Sequence, residues 1–328
     1  MLPCFDGATQ DVALSLFSYN PRDIQESVLT IALDDAPPDV GSYGNNTRPS
    51  PGTITVGGLD ALPNEVFEEV LRYADLRSVC ILRSVTRHVR RIIDASSPYK
   101  HITRHAPGLI TAFRRTRVAS HFSVDQVFRV LCTPSCHVCG EFGSFLWIPE
   151  CIRCCFLCLR EAPELMPMTE VDAKAAFGLT KTGLAKVPVM VTLPGNYTVS
   201  GTTVKKRRHL VSREKARQVA IVVHEAFDSK GRLNITVDHI TRFMSMVVLP
   251  YFDPSSQATH VGLACRGCQF ALENAPEVSS HEFDKLAHQR DRMYTEDGIV
   301  KHFEVCSGAH TLWRRYRKTG QPSLEGDE

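Results

Sequence analysis

Seven of the twelve cysteines in this chain fall between Cys132 and Cys158. Two form the knuckle Cys136-His137-Val138-Cys139-Gly140, and four crowd the run Cys151-Ile152-Arg153-Cys154-Cys155-Phe156-Leu157-Cys158. Two nearby C-x2-C pairs point to tetrahedral zinc, which takes thiolate and imidazole ligands in fours when its role is structural. Cys136 and Cys139 make the first pair, because a glycine following C-x2-C lets the backbone turn tightly and aim both sulfurs at one point. The second pair is open between Cys151/Cys154 and Cys155/Cys158. Fifteen residues separate Cys139 from Cys155 and eleven separate it from Cys151. The wider gap fits the common spacing of about 15–20 residues, so Cys155 and Cys158 are preferred. Cys132 is surplus and reads as a small apolar core residue.

A second constellation spans more chain. Cys265-Arg266-Gly267-Cys268 is another knuckle, but no cysteine pair follows it. Downstream stand His302 and Cys306, four residues apart on a stretch that reads as helix, so both share one face. Cys265, Cys268, His302 and Cys306 would form a Cys3His site, with His310 the alternative helix ligand. Four protein ligands leave no open position for water, so both sites are expected to be structural. Two zinc ions per chain are expected, each contributing on the order of 10–16 kcal/mol of binding free energy to folding.

The remaining chemistry argues against an enzyme. His224-Glu225 and His281-Glu282 each lack the second histidine of H-E-x-x-H, and no Walker loop, G-x-G-x-x-G or G-x-S-x-G occurs. Hydrophobic content of 43% supports a sizeable core, and a net charge of +2 points to neither nucleic acid nor membrane. No apolar run approaches the ~18 residues of a spanning helix, and the N-terminus lacks the pattern of a signal peptide. Closely spaced cysteines then read as reduced ligands, and a cytosolic or nuclear place is expected.

The elements that must position these ligands can be read in outline. Residues 1–58 are rich in Pro, Gly, Ser and Asn after position 34 and read as a disordered lead, with a short helix within 11–33. From Leu62 the pattern turns helical. Pro63 opens one helix, with Val66, Phe67, Val70 and Leu71 as its stripe. Asp75 caps a second over 76–93, striped by Leu76, Val79, Leu82, Val85, Val89, Ile92 and Ile93. Arg77, Arg83, Arg87, Arg90 and Arg91 fill its other positions. Residues 99–131 read as helix broken at Pro107-Gly108, its last piece spanning 124–131. Short helices are expected at 171–177 and 212–227, β structure at 187–199 and 260–264, and one amphipathic helix over 295–318. Residues 235–249 are apolar and ambiguous.

Residues 59–97 resemble an F-box, through Leu62-Pro63-x-Glu65-Val66, Val70-Leu71, Asp75-Leu76-Arg77-Ser78-Val79 and Leu82-Arg83-Ser84-Val85-Thr86-Arg87. Thr86 stands where that pattern has serine, and Val89 where it has an aromatic residue. Further segments are similar to filamentous-fungal F-box proteins with a cysteine-rich region behind the box: Tyr99-Lys100-His101-Ile102, Cys139-Gly140-x-Phe142-Gly143, Arg153-Cys154-Cys155-Phe156-x-Cys158-Leu159, Gly262-Leu263-x-Cys265-x-Gly267-Cys268 and His302-x3-Cys306-x5-Leu312-Trp313. The resemblance covers most of residues 59–318 and supports Cys155 and Cys158 as ligands.

It implies a mainly α chain with small β elements (α+β), a helical F-box followed by a zinc-stapled α/β region. The expected division is a lead over 1–58, the F-box over 59–100, a helical and Cys-rich region over 101–180, an α+β region over 181–318 and an acidic tail over 319–328. It also implies a non-catalytic substrate adaptor. A Skp-type subunit of a cullin–RING ubiquitin ligase would bind Leu62, Pro63, Val66, Val70, Leu76, Val79 and Leu82, and the rest of the chain would recruit a protein substrate. The alternative is a zinc-dependent nucleic-acid-binding protein, resting on the arginine-bearing helix and Lys205 to Arg208. A free-standing RING ranks behind both, because its eight ligands interleave in one compact module and these lie over a hundred residues apart.

Overall fold

The computed structural model describes residues 7–31, 62–224, 239–276 and 278–320. Helices dominate and the strands are short, giving the expected α+β class. The described chain starts with α1 (Gly7–Phe17), β1 (Ser18–Tyr19) and one turn of helix, α2 (Arg22–Gln25). These residues fall inside the expected disordered lead, and for 7–31 that expectation is corrected. Ala13 and Phe17 enter a C-terminal core, while Ile24, Val28 and Leu29 enter the main one. Their partners lie far along the sequence: Ser18 pairs with Cys265, Tyr19 with Ala264, and Leu29 bridges to Val247. Local periodicity carries no trace of such pairing. The rest of the lead, and the tail beyond residue 320, lie outside the described residues.

The next helices follow the sequence closely at their starts. Pro63 immediately precedes α3 (Asn64–Tyr73), on which Phe67 and Leu71 are buried. Full burial of such a side chain contributes about 1.5–3 kcal/mol. Asp75 caps α4 (Leu76–Val85), its carboxylate accepting the Ser78 N–H at 2.9 Å. The single helix expected over 76–93 is interrupted. Thr86 is extended, and its hydroxyl accepts the Val89 N–H at 3.1 Å to cap α5 (Arg87–Ala95). A threonine side chain that satisfies a helix-start donor offers the backbone an alternative to continuing the previous turn. There follow α6 (Ser97–His105), α7 (Pro107–Arg115) and α8 (Val124–Leu131), with the break at Pro107 and the bounds of α8 as expected.

Beyond α8 lie β2 (Phe145–Trp147), β3 (Ile152–Cys154), α9 (Phe156–Glu161), β4 (Pro167–Thr169), α10 (Glu170–Phe177), α11 (Lys181–Leu184), β5 (Met190–Val191), β6 (Gly195–Tyr197), β7 (Thr202–Val204), β8 (His209–Ser212), α12 (Arg213–His224), α13 (Ile240–Met244) and β9 (Met246–Val248). The ambiguous stretch 235–249 thus contributes both a helix and a strand. β2 is the centre of an antiparallel sheet, with Phe145 opposite Cys154 on β3 and opposite Val248 on β9. A second sheet runs β4-β8-β5. Both sheets cross residue 180, and one continuous core reaches from Ile24 to Met293, so no core boundary falls where a division at 180/181 was expected.

Arg153, on β3, is 2% exposed and meets no carboxylate among the described residues. Its guanidinium donates to five backbone carbonyls: Val130 and Leu131 at the end of α8, Gly143, Leu249 and Pro250, at 2.5–3.3 Å. Three separate stretches of chain are thereby held at one point. Burial pushes its pKa down to about 10, which leaves it charged at neutral pH.

The C-terminal part comprises β10 (Tyr251–Asp253), β11 (Ala258–His260), β12 (Ala264–Cys265), α14 (Arg266–Glu273), α15 (Ser280–Arg290), α16 (Glu296–Val305) and α17 (Ser307–Thr319). The strand expected at 260–264 is interrupted around Gly262, where a Cβ would press into Ser144 and Met293. The helix expected over 295–318 breaks at Cys306, which is extended at φ −85°, ψ 109°. Replacing Arg153 with Met should cost at least about 3 kcal/mol of unfolding free energy in urea titrations, because buried carbonyls lose their donors.

Candidate metal centres

The first centre is built from a knuckle, a hairpin and a helix start. Ser135 and Phe142 bridge in antiparallel fashion, closing a tight loop in which Gly140 takes the left-handed φ of 77° and donates its N–H to the Cys136 carbonyl. The His137 N–H donates to the carbonyl of Arg153, which hangs the knuckle on β3. The hairpin β2–β3 then delivers Cys155 to the N-cap of α9, where its sulfur accepts the Cys158 N–H at 3.4 Å. A thiolate at a helix start is favoured by the free N–H groups and the positive end of the dipole.

The ligand atoms of Cys136, Cys139, Cys155 and Cys158 all lie within 4.8 Å of one another, with Cys139 and Cys155 sulfurs 3.6 Å apart. A disulfide needs about 2.05 Å, whereas a tetrahedron on metal–sulfur bonds of about 2.3 Å has edges of about 3.8 Å. A hydrogen bond from the Cys155 thiol, aided by nearby backbone N–H groups, holds Cys136 down to about 4. These four residues fit a metal ion that prefers sulfur.

The second centre repeats the device. Cys265 ends β12 and caps α14, Cys268 lies in that helix's first turn, His302 is on α16, and Cys306 caps α17 by accepting the Ala309 N–H at 3.4 Å. Cys265 and Cys268 sulfurs each stand 3.8 Å from that of Cys306, and Cys268 stands 3.2 Å from His302 Nε2. All four ligand atoms again lie within 4.8 Å of one another. The four expected residues come together, but Cys306 reaches the others from a break between helices and not from the face of one. Hydrogen bonds from Cys265, then Cys268 and His302, hold its thiol well below the ordinary range.

Two further features prepare this centre, and neither was legible beforehand. Tyr294 stacks on His302 at 4.7 Å, and its hydroxyl lies 3.2 Å from His302 Nδ1. Were Nε2 to hold a metal, Nδ1 would carry the proton and donate to Tyr294 Oη, which would fix the ring. Gly267 and Gly308 let α14 and α17 touch backbone to backbone, since a Cβ on either would collide with the other helix. The second glycine follows Cys306 by two residues, as Gly267 follows Cys265, and that echo was the available signal.

The competing ligands belong to the core. Cys151 and Cys154 are about fully buried and outside both quartets, with Cys154 sulfur 3.3 Å from Met246 Sδ. Burial pushes Cys151 up to about 12 and Cys154 well above the ordinary thiol value, which keeps both neutral. Cys132 is half-buried against the core, and His310 lies outside the second quartet.

The residues expected to face a partner divide into two groups. Val66 and Val70 are each 46% exposed, Pro63 is exposed and Leu62 half-buried, and Tyr73 extends the same α3 stripe at 73% exposure. Leu76 and Val79, by contrast, are sealed in this protein's own core, and Leu82 is half-buried against it. These two buried residues therefore support the F-box helices from within and offer no contact surface. The expected arginine face is distributed over two helices, with Arg83 bound to Asp94 and Arg90 Nε donating to the Arg83 carbonyl.

Residues 59–101 match the F-box domain. The chain thus carries an F-box followed by two Cys/His quartets capable of holding metal. F-box domains are non-catalytic adaptor modules. No curated protein and no solved structure matches the chain. Among the described residues no helix is long and apolar enough to cross a membrane.

Replacing Cys136, Cys155, Cys268 or His302 with alanine should each remove one metal equivalent by elemental analysis. Cys151→Ala and Cys154→Ala should leave the metal content unchanged and cost only about 1 kcal/mol for the small cavity. Gly308→Val should release metal from the second centre and spare the first.

Proposed function

We propose that the chain is a non-catalytic substrate adaptor of a cullin–RING ubiquitin ligase. Its F-box docks a Skp-type subunit, and the metal-stapled region behind it recruits a protein to be ubiquitylated. The observation that carries this reading is the stripe Val66, Val70 and Tyr73 on α3, within the F-box match and exposed to solvent. Residues spaced by four and three share one helical face. Three large apolar side chains on one face, beside exposed Pro63 and half-buried Leu62, suit an apolar partner helix or groove. The proposed anchor set is therefore Leu62, Pro63, Val66, Val70 and Tyr73, with Leu76, Val79 and Leu82 acting as its scaffold.

Zinc is the metal we assign to both quartets, one ion in Cys136/Cys139/Cys155/Cys158 and one in Cys265/Cys268/His302/Cys306. Sulfur-rich four-ligand sets near tetrahedral edge lengths suit this ion. When bound, it supplies cross-linking and no catalysis, because no ligand position is left for a substrate. The cytosol or nucleus is the compartment that suits reduced thiolates and a cullin ligase.

Co-expression with a Skp-type subunit should yield a stable complex, and Val66→Glu with Val70→Glu should abolish it while far-UV circular dichroism and zinc content stay unchanged. Failure of the folded wild-type chain to bind at micromolar concentration would sink the adaptor reading. Leu76→Glu should behave differently and unfold the helices, because it buries a charge. Elemental analysis should give two zinc ions per chain, and a chelator that strips them should lower the melting temperature.

A further inference from the structure

The two quartets border one groove. Leu157, which lies between Cys155 and Cys158 on α9, lines a cavity of about 750 Å³ together with Cys268, His302 and Cys306 of the second centre. Arg292 and Tyr294 line it too, and they belong to a short strap, residues 291–294, between α15 and α16. Asp291 accepts from Arg160 Nη1 at 2.8 Å, and Arg292 pairs with Glu141. Arg160 stands two residues beyond Cys158, and Glu141 two beyond Cys139. The Glu141 carbonyl also accepts the Cys136 N–H at 2.6 Å. Met293 is buried in the main core, which contains Cys136. Tyr294 turns to the second centre. It exchanges backbone hydrogen bonds of 2.9 Å with Leu263, two residues ahead of Cys265, while its ring and hydroxyl meet His302.

The two ties to the first centre differ in weight. The side chains of Arg292 and Glu141 are 41% and 51% exposed, and an exposed pair contributes little on its own. Asp291 is almost entirely withdrawn from water, so its charge-assisted bond to Arg160 is the stronger tether. Arg290 donates to the same carboxylate at 2.8 Å, which therefore keeps a partner when Arg160 is changed. A structural metal site forms together with the fold around it, so an empty first quartet leaves the knuckle and the start of α9 less constrained. Arg160 and Glu141 then no longer hold the strap in one place. Tyr294 must be ordered at the moment the second ion binds, which weakens that binding. Linkage makes the effect reciprocal between the two centres.

We infer that the strap couples the two centres, so that a metal ion held by either quartet tightens the hold of the other. Arg160, Asp291 and Arg292 are positioning residues in this coupling, and Tyr294 is the contact through which it reaches His302. Doubly loaded and empty chains are then favoured over half-loaded ones. The inference rests on the assignment of metal to both quartets and goes beyond it, since two independent staples would serve the adaptor reading equally well.

The test uses the full chain. Zinc affinity is read by competition with a chromophoric chelator, and cobalt tells the centres apart, because four-thiolate and three-thiolate sites differ in their charge-transfer bands. Emptying the first centre with Cys139→Ala and Cys155→Ala should weaken zinc at the second about 10-fold, within the usual range of coupling between sites. Arg160→Gln with Arg292→Gln should show the same weakening with all eight quartet residues present, and emptying the first centre in that background should have no further effect. Tyr294→Phe should weaken the second centre about 10-fold in the otherwise wild-type chain and not in the strap variant. Val79→Ala, which opens a cavity in the F-box core, should lower the melting temperature and leave the coupling intact. The strap variant keeps every cysteine, so release kinetics decide the matter even where the cysteine variants fail to fold. Chelator removal of one ion should speed the loss of the second in wild type and not in the strap variant. Unchanged affinity on emptying the first centre, coupling that survives in the strap variant, or coupling lost equally in Val79→Ala would each overturn the inference, while two ions per wild-type chain would leave the metal assignment standing. Fewer than two ions on the wild-type chain would overturn both.

Discussion

A single buried cation organises the middle of this protein. The Arg153 guanidinium has five N–H donors and finds five carbonyls, from the end of α8, from the loop after the first knuckle, and from the segment that follows β9. An arginine inside a core usually needs a carboxylate; here oriented peptide dipoles serve in its place. The arrangement works only if all three stretches are in position together. Residues 130–131, 143 and 249–250 are thus locked to β3, and β3 leads straight into Cys155. A second buried arginine performs a related task at the other end of α9. Arg242, 3% exposed, donates to the carbonyls of Leu159 and Ala162, where the negative end of that helix lies. The helix that supplies two sulfurs of the first centre is held by cations at its approach and at its exit.

Both centres place a cysteine where helices ordinarily place serine or aspartate. Cys155 and Cys306 each cap a helix with sulfur, and the backbone N–H groups that start the helix pull both thiols down, although the bond to Cys136 and burial push Cys155 up on balance. Helix initiation and ligand preparation are one event at these positions. At the second centre the joint between α16 and α17 exists for this purpose: Cys306 turns the chain, Gly308 lets α17 settle on α14, and Tyr294 orients the histidine.

Much of this was legible because spacing encodes it. C-x2-C pairs, the glycine after Cys139 and the four-residue step from His302 to Cys306 singled out the eight residues of the two quartets. Caps such as Asp75 and the start at Pro63 were also readable, since they act within one turn. What escaped has a common character. Thr86 and Cys306 interrupt apolar stripes that run on unbroken, so periodicity alone joined helices that capping separates. Leu76 and Val79 carry the same apolar signature as Val66 and Val70, and nothing in a stripe says which side another part of the chain will cover. Arg153 stood in a recognised motif, but its partners are backbone atoms contributed from residues as distant as Pro250, and backbone atoms leave no mark on a sequence.

The pairing of β1 with β12 has a consequence for how the molecule comes into being. Ser18 and Tyr19 meet Cys265 and Ala264, and Phe17 packs edge-on against Phe303 in the core around the second centre. On a ribosome the early segment emerges long before its partners. At about 5–20 residues per second, translation of the intervening stretch takes on the order of 12–50 s. Throughout that interval Phe17 and its neighbours have no native surface to cover them, while the first quartet, contained within residues 136–158, can already close. All four residues of the first quartet are thus synthesised well before the second can be completed at Cys306, and the segment that meets the opening residues belongs to the second.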